Sequence, residues 1–330
     1  MLKEFSGYRK GINFGGWLSQ CEHSKAHYDS FIRVEDFAKV KSLGYDHIRL
    51  PIDYELIEDE EGNFMEDNFS YLDFAVEKCR ENGLNLVLDL HRTPGFSFDP
   101  NHNKTGLFES RELQERFYAI WEKLAAKYAM NSEMLAFELL NEVTEKSYMP
   151  VWVQMAEKAV RIIRKYSKEI RIILGGYWNN SVCAVKDLPE PFDENIVYNF
   201  HFYEPLLFTH QGAYWIDTMD RSFRCRFGMT YGEYEAGSRI QLRGREFGEF
   251  QKYSQDEIMG EKYFDGLIRE AVKTAEERNV CLYCGEFGVI ELADKAEAGK
   301  WFDVFYSVMN RYSIGNAIWT YRQMDFSVVD

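Results

Sequence analysis

Residues 85–91 read Asn85-Leu-Val-Leu-Asp-Leu-His91. A short, nearly continuous apolar run is what a strand covered on both faces shows, as in a parallel sheet flanked by helices. The run ends on polar residues. Before it, Leu72, Val76 and Cys79 share one helical face, and Gly83 closes that helix. After it, Leu113, Phe117, Trp121, Leu124 and Tyr128 repeat at helical spacing. A buried strand between two amphipathic helices is the repeating unit of an α/β fold.

The unit recurs along the chain. Strand-like runs lie at Gly11–Gly16, His47–Pro51, Met134–Asn141, Arg171–Gly175, Ile196–Tyr203, Cys281–Phe287 and Gly315–Thr320. Apolar stripes at Phe264, Leu267, Ile268, Ala271 and Ala275, and at Ala298, Phe302, Phe305, Met309 and Tyr312, mark two further helices as core packing. With the opening stretch this makes eight strands alternating with helices, which predicts an α/β chain folded as a (β/α)8 barrel. Residues 1–330 are expected to form one catalytic domain. The stretch after the sixth strand is far longer than a βα loop requires. It carries Trp215, Arg221, Arg224, Arg226, Tyr231 and Tyr234, an aromatic content that argues against disorder. Residues 204–260 are therefore expected to form an inserted subdomain over the barrel mouth. The chain stops soon after the eighth strand, so the eighth helix is expected to be short or absent.

Composition narrows the function. The net charge of −15 repels polyanions, which excludes nucleic acid as a partner. No apolar run approaches the ~20 residues of a membrane span, so no membrane partner is expected. The start, Met1-Leu2-Lys3-Glu4-Phe5, has no leader pattern, which points to the cytoplasm unless a leader has been removed. The cysteines are dispersed and read as reduced, buried thiols. Cys281 and Cys284 have C-x-x-C spacing, but on a strand residues three apart face opposite ways. His23 and His27 are four apart, yet Ser24 stands where a zinc-protease helix has glutamate. No metal and no cofactor is expected.

Barrel chemistry sits at the C-terminal ends of the strands. Those ends carry Arg49 and Pro51, Asp89 and His91, Asn141 and Glu142, His201 and Tyr203, Glu286, and Trp319. Singly, each has a structural explanation. Together they form a ring of polar and aromatic groups around one mouth. Glu142 and Glu286, on the fourth and seventh strands, suit glycoside hydrolysis. That reaction needs one carboxylic acid to protonate the leaving oxygen. In retaining enzymes a carboxylate roughly 5–5.5 Å away attacks the anomeric carbon. Arg49 and Tyr203 are expected to keep Glu286 charged, Asn141 to hold a sugar 2-hydroxyl, and His91 and His201 to order hydrogen bonds around the pair.

At these residues a family resemblance emerges. Leu135-Ala-Phe-Glu-Leu-Leu-Asn-Glu142 resembles the acid/base motif of glycoside hydrolase family 5, the large cellulase family. Tyr283-Cys-Gly-Glu-Phe-Gly288 is similar to its nucleophile motif. Asn13-Phe-Gly-Gly-Trp17, Arg49-Leu-Pro51, Asp89-Leu-His91, His201-Phe-Tyr203 and Trp319 follow its other signatures in order, over residues 11 to 326. Asn199-Phe-His-Phe-Tyr203 and Phe208-Thr-His-Gln211 resemble most a clostridial endoglucanase group with the same insertion.

The resemblance implies Glu142 as acid/base and Glu286 as nucleophile. It implies a β-glucan or cello-oligosaccharide as substrate, cut by an endo-β-1,4-glucanase. Exo-acting β-glucanase, β-mannanase and a non-catalytic glycan-binding barrel are the alternatives. Arg92 departs from the pattern, because many relatives have a second histidine there. Trp17, Phe96, Trp178, Phe202, Trp215 and Trp319 are the candidate sugar platforms.

Overall fold

The computed structural model describes residues 2–99, 106–243 and 250–329. Eight parallel strands close into a barrel in chain order. They are β1 (Lys10–Asn13), β2 (His47–Asp53), β3 (Asn85–Arg92), β4 (Leu135–Glu138), β5 (Arg171–Leu174), β6 (Ile196–Phe202), β7 (Cys281–Phe287) and β8 (Gly315–Ile318). Each falls within or next to an apolar run of the sequence. The ring is closed by Lys10–Ile12 of β1 pairing with Asn316–Ile318 of β8.

Side-chain alternation divides the barrel interior into two storeys. The lower storey is apolar: Val87, Ala136, Ile173, Val197, Cys281 and Ala317 meet under Phe5 and Tyr8, whose rings stack 4.1 Å apart and plug the base. Two residues further along the same strands, Asp89, Glu138 and Asn199 face the same interior and begin a polar storey. Cys281 belongs to the lower interior and Cys284 to the cluster between barrel and helices, and both are free thiols. This is the opposite-face arrangement that their spacing predicts.

The outer layer includes the helices Phe69–Glu81, Arg111–Tyr128, Met149–Ile163, Glu261–Glu277 and Lys295–Tyr312. Three of them pin the mouth-side ends of strands through buried tryptophans. Trp121 donates to Leu139 O (3.0 Å), Trp152 to Gly175 O (3.1 Å) and Trp301 to Glu204 O (3.0 Å). Truncating such a ring to alanine typically costs about 3–5 kcal/mol, so each is a strong local anchor. Between β5 and β6 no full helix forms; a 3-10 segment, Val182–Asp187, takes its place. Pro189 and Pro191 follow, and a helix cannot run through them.

The described part of the segment between β6 and Glu261 is packed, and residues 244–249 lie outside the described residues. Tyr231 stacks on Tyr253 at 4.3 Å and meets Tyr263 edge-on, while Phe227 meets Phe264. Phe227 and Tyr231 of this segment thus pack on the helix Glu261–Glu277. The stretch around His210 and Trp215 reaches Phe326 and Tyr203 beside the mouth. After β8, residues 319–329 contain no helix. No described helix is long and apolar enough to cross a membrane.

Candidate active site

Arg49 is the centre of the polar storey. It is fully buried, and it donates through Nε to Glu138 Oε2 (2.7 Å) and through NH2 to Glu138 Oε1 (3.0 Å). Its NH1 reaches Glu286 Oε1 (2.6 Å) and Asn13 Oδ1 (3.0 Å). Its NH2 also reaches Asn141 Oδ1 (2.9 Å) and Asp89 Oδ2 (3.0 Å). One guanidinium thus faces three carboxylates. Like charges packed this closely cannot all ionise, so the cluster must retain protons. Burial and the neighbouring carboxylates Asp53 and Glu142 push Asp89 up to about 7 against the pull of Arg49, and burial also raises Glu138.

Glu142 and Glu286 come together over this cation. A carboxylate oxygen of each and a ring nitrogen of His201 lie within 4.8 Å of one another. The two glutamates are held differently. Glu286 accepts from Arg49 at one oxygen and from the Tyr203 hydroxyl at the other (3.0 Å). Burial, followed by the charges of Glu286 and Glu142, raises Tyr203 far above its ordinary range, so it remains a donor. Glu142 sits against His201 Nδ1 (2.7 Å) and the Asn179 amide (2.8 Å). It has no cation in contact, and burial raises its pKa. One carboxyl is thus paired with a buried cation, and the other has none and is raised by burial, the asymmetry that acid and base roles need.

The histidines serve as neutral dipoles. Burial lowers both His91 and His201 to about 4. Asn141 Nδ2 points at His91 Nε2 (3.4 Å), so the proton sits on Nδ1, which donates to Asp89 Oδ2 (2.6 Å). For His201, the amides of Asn180 and Asn199 face Nε2 at 3.4 and 3.5 Å. Its Nδ1–H therefore donates to Glu142. Asn141, its oxygen fixed by Arg49, keeps an amide N–H free to meet a substrate hydroxyl.

Trp319 covers the site, 7% exposed, with its ring parallel to His91 at 5.8 Å. Gly15 lies so close to that ring that a Cβ there would fall 2.7 Å from it, which accounts for glycine in Asn13-Phe-Gly-Gly-Trp17. The eight predicted site residues, Glu142, Glu286, Arg49, His91, Asn141, His201, Tyr203 and Trp319, are thus brought to one mouth. The platforms fare differently. Trp17, Phe96 and Phe202 are buried in the core and offer no sugar face: Trp17 packs against Phe14 and Phe74, Phe96 against Phe108, and Phe202 against Phe264, Trp301 and Phe305. Trp178 is 54% exposed.

Sequence reading missed Glu138, Asn13, Asn199, Asn179 and Asn180. The first three had a signal, since each is a polar residue inside an apolar strand run. The last two had none.

Arg92 is turned to a different task from sugar contact. It pairs with Asp53 and reaches His23 Nε2 (3.0 Å). Asp53 also accepts from Ser19 (2.7 Å) and the Gln20 N–H (2.8 Å), so the knot ties the loop after β1 to the ends of β2 and β3. His23 and His27 do not share a site: His27 Nε2 faces Gly16 O, and His23 Nδ1 faces the Tyr28 hydroxyl. Burial disfavours the Asp53 charge, but hydrogen bonds from His23 and Arg92 overcome it and hold Asp53 well below the carboxylate range. Arg92→Met is expected to cost about 3 kcal/mol at pH 7, by leaving a buried charge without its cation. The depressed pKa means this stabilisation is complete above about pH 4 and is lost on acidification, so urea unfolding of the two proteins should converge at low pH.

Comparison with known proteins agrees with this geometry. The family described as cellulase, glycosyl hydrolase family 5, matches residues 13–325. Cellodextrinase A of Ruminococcus flavefaciens is 40% identical over 314 residues, covering 95% of this chain and 85% of that protein. Endoglucanase C of Acetivibrio thermocellus is 37% identical over 325 residues, covering 97% and 93%. The fold matches the crystal structure of endoglucanase Cel5A from Thermotoga maritima with a TM-score of 0.77 at 24% identity, over 98% of this chain and 93% of that one. Motifs in order, a closed eight-stranded barrel and paired glutamates at its mouth agree with these matches: the chain belongs to the cellulase family, glycosyl hydrolase family 5.

Proposed function

We propose that the protein is a retaining endo-β-1,4-glucanase in which Glu286 is the nucleophile and Glu142 the acid/base. The observation that carries this reading is the carboxylate pair, within 4.8 Å oxygen to oxygen, with Arg49 on one member only. Inverting enzymes keep their carboxyls roughly 6.5–9.5 Å apart to admit a water, and retaining enzymes need direct attack across a shorter gap.

The steps follow from the contacts. The Glu286 carboxylate attacks the anomeric carbon, and the bond to the leaving-sugar oxygen breaks. Glu142 gives that oxygen its proton. Glu142, now ionised, takes a proton from water, and the hydroxide displaces Glu286 from the sugar. The Asn141 amide donates to the 2-hydroxyl, and Trp319 lies under the sugar ring. The alkaline limb of kcat/KM then reports loss of the Glu142 proton.

A second reading is action on short cello-oligosaccharides from one end, favoured by the 40% identity to a protein named cellodextrinase. One experiment addresses both. Soluble cellulose, mixed-linkage β-glucan, β-1,3-glucan, β-mannan and cello-oligosaccharides are digested, and the products followed by proton NMR. The expected result is hydrolysis of β-1,4-linked glucans with the β-anomer formed first. Mid-chain cuts favour the endo reading and release from one end the second. The α-anomer first, or no β-glucan cleaved, defeats the assignment.

A further inference from the structure

The loop after β5 holds three successive non-glycine residues in the left-handed region: Trp178, Asn179 and Asn180, with φ of 51°, 56° and 55°. Single residues visit this region, but consecutive ones are strained, and such strain persists only where the surroundings enforce it. Here they do. The Trp178 N–H donates to Thr144 O (3.2 Å) and the Asn179 N–H to Val143 O (3.0 Å), stapling the turn to the residues directly after Glu142. Beneath it, a Cβ on Gly175 would fall 2.1 Å from Asn180 Oδ1, so the glycine makes room for the turn.

The turn delivers two amides to one carboxyl system. Asn179 Nδ2 meets Glu142 Oε2 at 2.8 Å. Asn180 Nδ2 faces Nε2 of His201, the ring that holds Glu142 Oε1. Both Glu142 oxygens are thereby gripped, and the carboxyl plane is set. A proton on Oε2 cannot point into an N–H donor, so the amide excludes its own direction for that O–H.

We propose that Asn179 is a positioning residue that aims the Glu142 proton at the leaving-group oxygen. This rests on the reading of Glu142 as the acid/base. It goes beyond it by assigning the strained turn a purpose and Asn179 a role in leaving-group departure. The amide also donates to the ionised carboxylate, which opposes the upward push of burial on Glu142.

The test compares two substrates. Cellotetraose needs a proton on its leaving oxygen; 2,4-dinitrophenyl β-cellobioside does not. Asn179→Gly removes the amide and relaxes the left-handed backbone, and Asn179→Asp is a near-isostere that adds a like charge. For Asn179→Gly, kcat/KM on cellotetraose is expected to fall roughly 10- to 100-fold, with the dinitrophenyl substrate within about threefold. The alkaline limb on cellotetraose should move to higher pH, and further in Asn179→Asp. Equal losses on both substrates with an unmoved limb would reduce Asn179 to scaffolding and overturn the proposal, as would wild-type rates on both. Wild-type protein that cleaves both substrates sustains the Glu142 reading whichever way the variants fall. Wild-type protein inert on both overturns that reading and this one with it.

Discussion

Glu286→Gln is expected to lower kcat on a soluble β-glucan by at least about 10⁴-fold, with thermal unfolding nearly unchanged. The size follows from the role: removing a group on which the covalent step depends costs far more than removing a contact. The amide keeps the shape of the carboxyl and can still accept from Arg49 NH1 at its oxygen, so the pocket has little reason to collapse. It cannot form the glycosyl ester. Steady-state hydrolysis alongside a melting curve checks both halves. Substantial turnover in a folded Glu286→Gln protein would remove Glu286 from the nucleophile role. A comparable fall in Tm would leave the loss of activity explained by unfolding.

Arg49→Met should be the most damaging single change in the barrel. The guanidinium is buried, and it contacts Glu138, Glu286 and Asp89 together with Asn13 and Asn141. Methionine fills similar space and supplies no charge. Three carboxyls would then share a buried site without a cation, and protonation of some is the only relief. Loss of one partner from such a buried pair typically costs about 3–5 kcal/mol, which corresponds to a Tm lower by roughly 4–7 °C in a chain of this size. Activity should vanish with it, because Glu286 would lose the cation that pairs with it and fixes its carboxylate. Arg49→Lys separates the two effects. It keeps the charge but not the planar fork, which here bridges strands β2, β4 and β7. That variant is expected to fold and to lose about 10²- to 10³-fold in kcat. An Arg49→Met protein as stable and active as wild type would show that the network is ornamental.

Both predictions concern residues visible in the sequence, but with unequal clarity. Glu142 and Glu286 stood out because each ends an apolar run, and only strand ends face a barrel mouth. Arg49 was visible by the same logic. Its true partners were not: Arg49 and Glu286 are 237 positions apart, and the Asn13 amide donates to Gly285 O, 272 positions away. Glu138 sits inside a strand run, where a charge has no obvious use until Arg49 is seen beside it. The sugar platforms show the converse failure. Trp17 and Phe202 are aromatic residues within signature motifs, yet both are core, since composition and spacing do not reveal whether a ring faces the mouth or the helices outside the barrel.

Eight strands, the barrel they close into and the two glutamates at its mouth can be read from residue order alone. Those features are written in local periodicity and in what terminates each apolar run, and neither depends on distant partners. How the charges are apportioned emerges on folding: Arg49 on Glu286, no cation on Glu142, Arg92 committed to Asp53 and His23, and the Asn179 amide brought onto Glu142 by a left-handed turn. Hydrogen bonds and close charge pairs act over about 3 Å. Which side chains come that close is set by closure of the barrel and by backbone angles that residue identity leaves open.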